Sequence, residues 1–174
     1  MGLCTCMKTL LLSFWLICGW AAQSRAQAPE VIHLEDVLDI IGSDSDTLYV
    51  LNFWSTWCKP CVAEMPHFDR LQTEMADQKV KVVFISLDFK SEYRTKLVPF
   101  LAKRKLHSRV VFLDEPNFNS WINKVSPEWS GSIPATLFVC DSRDIRKFHE
   151  GDFTYEALSS TVNSLMSSHK HENN

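Results

Sequence analysis

A strand-length apolar run followed by two closely spaced cysteines constrains the fold more than any other feature of this chain. Residues 48–54 read Leu-Tyr-Val-Leu-Asn-Phe-Trp, a pattern typical of a strand buried on both faces. Cys58 and Cys61 follow at C-x-x-C spacing, where a helix is expected to begin. The order of strand, cysteine pair and helix indicates a redox-active pair of thiols.

The position of the cysteines explains how such a pair would work. The first turn of a helix offers unpaired N–H groups and the positive end of the macrodipole, which stabilise a thiolate at Cys58. Cys61 lies one turn further on and can close a small ring with Cys58, so we predict Cys58 as the nucleophile and Cys61 as the resolving thiol. Pro60 suits a first-turn position, and the charge of Lys59 is expected to tune the redox balance.

Two structural alternatives to redox chemistry are a zinc site and a plain disulfide. A single C-x-x-C supplies half of a four-ligand zinc site, and the other pair with ligand-like spacing, His169 and His171, lies in a polar tail. The strand before the motif and the missing second half favour the redox interpretation. We therefore expect neither a metal ion nor an organic cofactor.

The segment that surrounds the cysteines resembles a known signature. Residues 52–66 read N-F-W-S-T-W-C-K-P-C-V-A-E-M-P, which is similar to the active site of the thioredoxin superfamily, in particular its extracytoplasmic TlpA/ResA-like branch. Thioredoxins proper carry Asp where this chain has Asn52 and Gly where it has Lys59. Spacing alone favours a solvated surface role for Glu64. The resemblance implies instead that Glu64 is a buried carboxylate that exchanges a proton with Cys61.

A second stretch carries the same resemblance. Residues 133–139 read I-P-A-T-L-F-V, similar to the superfamily segment whose proline is cis and faces the cysteine pair. The resemblance implies that the backbone of Ile133, turned outward by a cis bond to Pro134, pairs with an extended substrate. Trp57, directly before the nucleophile, is predicted to be a partly exposed contact for that substrate.

Strands that alternate with helices indicate an α/β fold. The resemblance implies a thioredoxin-like sandwich: a central mixed sheet with helices on both faces, and an extra helix and strand inserted after the second core strand. The pattern predicts one helix within residues 30–41 and a second from the cysteine pair to about residue 75. It predicts further helices at 93–105, 118–125 and 155–166. It predicts strands at 31–32, 48–54, 80–88, 110–113, 132–140 and 145–149.

The N-terminus has the composition of a secretory signal peptide. Lys8 precedes an apolar run over residues 10–20, and small residues allow cleavage after Ala26, although an uncleaved anchor is an alternative. Cleavage removes two of the 18 basic residues and none of the 21 acidic ones, so the net charge goes from −3 to −5. We predict a single domain over residues 27–166 and a polar tail over residues 167–174.

The cysteine count and the remaining aromatic residues refine this interpretation. The mature chain keeps three of six cysteines, which excludes a multi-disulfide scaffold. The third, Cys140, ends an apolar strand and is expected to be a buried, inert thiol rather than a second redox group. Trp54 is predicted to lie in the core, whereas Trp129 suits a substrate groove and the core equally.

Together these features predict an exported thiol–disulfide oxidoreductase that reduces protein disulfides and is located in the periplasm or cell envelope of a bacterium. A disulfide-donating oxidant of the same fold and a non-catalytic binding or chaperone module are the alternatives. The expected partners are client proteins with cysteines or disulfides and a membrane or periplasmic redox donor. A negative net charge argues against nucleic acid, and we expect a monomer.

Overall fold

The computed structural model describes residues 28–168, and the predicted signal peptide and residues 169–174 lie outside them. Six strands form one sheet: β1 (Glu30–Ile32), β2 (Leu48–Trp54), β3 (Val80–Ser86), β4 (Arg109–Leu113), β5 (Ala135–Cys140) and β6 (Ile145–Glu150). The helices are α1 (Leu34–Ile41), α2 (Lys59–Glu74), α3 (Val98–Ala102), α4 (Ile122–Val125) and α5 (Tyr155–Ser168). Short 3-10 turns cover Lys90–Glu92, Phe118–Ser120 and Asp141–Arg143, and a π-helical turn covers Tyr93–Leu97.

The sheet is mixed, as predicted, with the order β1-β4-β3-β2-β5-β6. Strands β1, β4, β3 and β2 are parallel, β5 runs antiparallel to β2, and β6 runs antiparallel to β5. The extra strand β4 lies between β1 and β3, so the predicted insertion after the second core strand is confirmed. Strand β2 pairs over its whole length with β3 and along most of its length with β5, and the chain passes from its end into the cysteine-bearing helix α2.

Alternation along β2 divides the core into two layers. Leu48, Val50 and Trp54 face a layer built mainly by α2, α3 and α5. Leu51 and Phe53 face a second layer built by α1 and α4. Helices therefore cover both faces, as the α/β sandwich prediction requires, and the even-numbered positions of β2 point toward the cysteine-bearing helix.

The largest difference from prediction concerns residues 93–105, which do not form one helix. A π-helical turn occupies Tyr93–Leu97, and α3 then runs only from Val98 to Ala102, with Pro99 in its first turn. Pro99 has no N–H to donate, and it occupies the first turn of α3, where the missing donor costs little. The basic residues 103–105 consequently follow the helix, and Arg104 covers the ring of Phe100 at 3.4 Å from its centroid.

Smaller differences occur at element ends. The predicted helix over residues 118–125 is a 3-10 turn followed by α4, and the strand with Pro134 begins at Ala135. The last helix continues to Ser168, two residues into the predicted polar tail. At the β5–β6 turn, Asp144 adopts the left-handed conformation with φ of 50°. Between residues 28 and 168 no helix is both long enough and apolar enough to cross a membrane.

Candidate redox site

The two predicted cysteines are joined at the junction of β2 and α2. Cys58 is the N-terminal capping residue of α2 and forms a disulfide with Cys61, with Cα atoms 5.3 Å apart. The backbone N–H of Cys61 donates to the Cys58 sulfur at 3.3 Å. Pro60 lies in the first turn, as predicted, and both Lys59 and Pro60 are exposed. A thiolate at Cys58 would therefore receive a hydrogen bond from the helix N-terminus.

The two sulfurs differ in access. The exposed fraction of Cys58 is 6%, whereas Cys61 is fully buried at 0%. The peptide bond between Ile133 and Pro134 is cis, as predicted, and the Cys58 Sγ lies 3.8 Å from the Ile133 carbonyl oxygen. Of the two cysteines, Cys58 is thus the one that keeps some exposure, and the Ile133 backbone lies beside its sulfur.

Glu64 lies inside the protein on the same face of α2 as Cys61. Its side chain is 2% exposed, so the buried position implied by the family resemblance is correct, and the surface role favoured by spacing alone is wrong. One carboxyl oxygen accepts from Asn52 Nδ2 and the other from the Phe153 N–H, both at 2.8 Å. Burial, with a smaller contribution from the charge of Asp152, raises the pKa of Glu64 to about 7 against the opposing effect of these hydrogen bonds.

A carboxyl with this pKa is ionised in about half of the molecules at neutral pH and can therefore take up or release a proton there. It lies three residues beyond Cys61, within one helical turn. The structure thus brings together an accessible sulfur, a buried sulfur and a buried proton acceptor on a single helix. This is an arrangement suited to opening and closing a disulfide.

Comparison with known proteins agrees with this geometry. A family model described as the AhpC/TSA family matches residues 24–148, which is most of the chain. The chain belongs to the AhpC/TSA family. The resemblance to thioredoxin-like, ResA-type proteins predicted from residues 52–66 is thereby confirmed.

Two curated proteins and one solved structure are similar to the chain. It is 31% identical over 118 residues to the thiol–disulfide oxidoreductase ResA of Oceanobacillus iheyensis, covering 67% of this chain and 56% of ResA. It is 32% identical over 110 residues to the thioredoxin-like protein YneN of Bacillus subtilis, covering 63% of this chain and 59% of YneN. The chain therefore spans less than two thirds of either relative.

The solved structure is that of a thioredoxin-related protein from Neisseria meningitidis serogroup B. It superposes with a TM-score of 0.61 at 22% identity, over 72% of this chain and 89% of the other. At this identity the likeness concerns the fold, and it agrees with the thioredoxin-like sandwich described above.

An exposed aromatic pair flanks the disulfide of this AhpC/TSA chain. Trp57 is 51% exposed, as predicted, and its ring stacks on that of Phe89, which is 56% exposed, with centroids 6.5 Å apart. The sequence interpretation overlooked Phe89. Its place follows from the pairing of β2 with β3 as adjacent parallel strands, which brings the residues that follow them to one edge of the sheet.

The buried carboxylate of Asp88 at the same edge was also overlooked. It accepts hydrogen bonds from the backbone N–H and the hydroxyl of Thr56 and from the hydroxyl of Ser86. These bonds fasten the loop that precedes Cys58 to the end of β3. Asp88 thus helps to fix where the nucleophilic sulfur lies.

The remaining residues that were singled out have structural positions. Trp54 is fully buried, as predicted. Trp129 is 3% exposed and packs on Phe53, and its indole N–H donates to the Ser132 carbonyl at 2.8 Å, which answers the open question in favour of the core. Cys140 is a buried free thiol, as predicted. Within the part of the chain that the structure describes, no cluster of three or more His, Cys, Asp or Glu is placed to hold a metal ion.

Proposed function

We propose that this chain is an exported thiol–disulfide oxidoreductase that reduces disulfides in client proteins. The observation that carries the proposal is the Cys58–Cys61 disulfide at the N-terminus of α2, with only Cys58 accessible. The name of ResA, a thiol–disulfide oxidoreductase, supports the same reaction class. The signal-peptide-like N-terminus supports export to a bacterial periplasm or envelope.

The reaction begins with the reduced pair. The Cys58 thiolate attacks one sulfur of a client disulfide, which forms a mixed disulfide and releases the other client sulfur as a thiolate. Cys61 then loses its proton and attacks the Cys58 sulfur. The Cys58–Cys61 bond forms, and the second client thiolate leaves. Two electrons have passed from the protein to the client, and a redox donor must return them before the next cycle.

The surface around Cys58 suggests how a client is held. An extended client segment would pair with the backbone of Ile133 before Pro134, which lies beside the Cys58 sulfur. Apolar side chains of the same segment would contact the exposed rings of Trp57 and Phe89. Lys59 adds a positive charge that attracts a thiolate or an acidic client residue.

Glu64 serves the resolving step in this proposal. Cys61 is fully buried and must become a thiolate away from water, so it needs an internal acceptor for its proton. With a pKa raised by burial to about 7, the carboxyl of Glu64 is ionised often enough at neutral pH to fill that role.

Reduction of the interchain disulfides of insulin by the reduced protein tests the reaction. The wild-type chain is expected to reduce insulin, Cys58→Ser is expected to lose this activity, and Cys140→Ser is the matched control that keeps it. A wild-type chain that leaves insulin intact while binding unfolded clients equally well after Cys58→Ser and Cys61→Ser would support the binding-module alternative instead.

The reduction potential of the pair, measured by equilibration with glutathione, tests the direction of electron flow. A value near the roughly −270 mV of thioredoxin supports a reductase that needs an electron supply. A value near the roughly −120 mV of strong periplasmic oxidants contradicts it and makes the chain a disulfide donor.

A further inference from the structure

Asn52 lies at the centre of the hydrogen bonds that surround Glu64. It is fully buried on β2, on the strand face that meets α2. Its Nδ2 group donates to the Glu64 carboxyl at 2.8 Å and to the Thr136 hydroxyl oxygen at 3.2 Å. Thr136 is the residue paired with Asn52 in the β2–β5 ladder, so the three side chains join two strands and α2.

The orientation of the Asn52 amide is specified by these two contacts. Both hydrogens of its NH2 group have acceptors, whereas its Oδ1 atom has no hydrogen-bond partner among the residues described. Rotating the amide by half a turn would place Oδ1 against an oxygen of Glu64, and two acceptors repel each other when the carboxyl is ionised. The observed orientation therefore favours the carboxylate form of Glu64.

The other groups around Glu64 act in both directions. The Phe153 N–H donates to the second carboxyl oxygen, and the charge of Asp152, in the loop before α5, disfavours ionisation. The ring of His149 on β6 packs against that of Phe153 at a tilt of 43°, with centroids 4.2 Å apart. On α2 itself, the Cys58–Cys61 pair is uncharged while oxidised. Asn52 is thus one of two donors that offset burial at this carboxyl.

We propose that Asn52 is a positioning residue whose fixed amide keeps the buried Glu64 carboxyl ready to accept the proton of Cys61. The inference rests on the proposed function for the identity of the reaction. In the step concerned, the Cys61 thiol gives its proton to the Glu64 carboxylate, and the resulting thiolate attacks the Cys58 sulfur of the mixed disulfide. The client thiolate leaves with the electron pair of the broken bond.

A direct test follows the titration of the Glu64 carboxyl carbon by ¹³C NMR in the oxidised protein, in which neither cysteine of the pair titrates. Asn52→Leu removes the donor at similar volume and is expected to raise the midpoint by about one pH unit, a tenfold gain in proton affinity. Asn52→Asp replaces the donor by a second carboxyl and is expected to raise it further. An Asn52→Leu midpoint equal to that of wild type overturns the inference.

A milder pair of variants keeps the test decisive if Asn52 variants fail to fold. Thr136→Val removes the hydroxyl that holds the amide, whereas Thr136→Ser keeps it and is the matched control. Thr136→Val is expected to move the Glu64 midpoint upward, and Thr136→Ser is expected to leave it in place. Identical titrations of the two variants would overturn the role of a fixed amide orientation.

A kinetic measurement links the carboxyl to the chemistry. The mixed disulfide of Cys58 with glutathione is prepared, and the rate of Cys58–Cys61 bond formation is followed against pH. The midpoint of this profile is expected to move with the Glu64 titration in Asn52→Leu, and a profile that stays in place overturns the inference. Failure of the wild-type chain to reduce insulin refutes the proposed function alone, because the carboxyl titration needs no client.

Discussion

Burial of Glu64 makes the stability of the protein depend on pH in a way that one substitution should remove. The pKa of Glu64 is about 7 in the folded protein, against an ordinary value of 4.5 that applies after unfolding. A difference of about 2.5 pH units corresponds to about 3 kcal/mol. Because the folded pKa is raised, the unfolded state releases its proton first, and the free energy of unfolding falls as pH rises from about 4.5 to about 7.

Glu64→Gln is the variant that tests this. The substituted amide cannot ionise. Rotation of the neighbouring Asn52 amide would let Asn52 accept from the new NH2 group while the new amide oxygen accepts from Phe153, so we expect the variant to fold. Urea unfolding of the oxidised proteins is measured at several pH values from about 4.5 to about 8. The stability of Glu64→Gln relative to wild type is expected to increase by about 3 kcal/mol across this range.

The control is an exposed glutamate on the same helix. Glu74 accepts hydrogen bonds from Tyr155 and Arg70, which lower its pKa, so its contribution to stability is lost only as pH falls below its ordinary value. Glu74→Gln should therefore show a constant difference from wild type between about pH 4.5 and about pH 8. A constant difference for Glu64→Gln as well would refute the argument that burial raises the pKa of Glu64.

Three further predictions follow from the site and its surroundings. Cys61→Ser should leave clients covalently attached to Cys58, visible as an adduct on non-reducing gels, and the absence of any adduct would contradict the resolving role. Trp57→Ala and Phe89→Ala should each raise KM for a protein client about 2- to 10-fold with kcat unchanged, because each ring supplies about 0.5–1.5 kcal/mol of contact; an effect on kcat alone would argue against client contact. Asp69→Asn should destabilise the protein by about 1–2 kcal/mol at pH 7, because the Asp69 carboxylate accepts hydrogen bonds from the backbone N–H groups of residues 107 and 108 and from the Ser108 hydroxyl. Burial opposes the effect of these bonds, which nevertheless lower the pKa of Asp69, so this loss should shrink in urea unfolding as the pH falls below about 4.

The parts of the site that sequence reasoning could predict are those with local signals. A β-branched and aromatic run, two cysteines at C-x-x-C spacing and a proline before an apolar strand lie within short segments, and the structure places β2, α2 and the cis proline accordingly. Apolar spacing over residues 93–105 does not distinguish a π-helical from an α-helical turn, and α3 ends at Ala102, three residues before the predicted end.

Other parts depend on which elements become neighbours, which spacing does not reveal. Phe89 meets Trp57 only because Trp54 pairs with Ser86 at the ends of two parallel strands. The stripe of buried residues on α2 passes through Glu64, between Cys61 and Phe68. From periodicity alone, apolar residues are expected along this buried stripe. The burial of the Glu64 carboxyl there is explained only by the hydrogen bonds that Asn52 and Phe153 donate to it, and these are visible only in the structure.

The two buried acids near the cysteines differ in the number of donors, and this difference separates their roles. Asp88 accepts from the Thr56 N–H and from two hydroxyls, of Thr56 and Ser86, so both of its oxygens are engaged and it links the loop before Cys58 to β3. Glu64 has only two donors for two oxygens, and burial outweighs them. The hydrogen bonds of Asp88 hold that loop in place, whereas Glu64, with its pKa raised to about 7, can exchange a proton near neutral pH. The same sheet edge thus supplies a fixed anchor before Cys58, and the core beneath it supplies a proton acceptor behind Cys61.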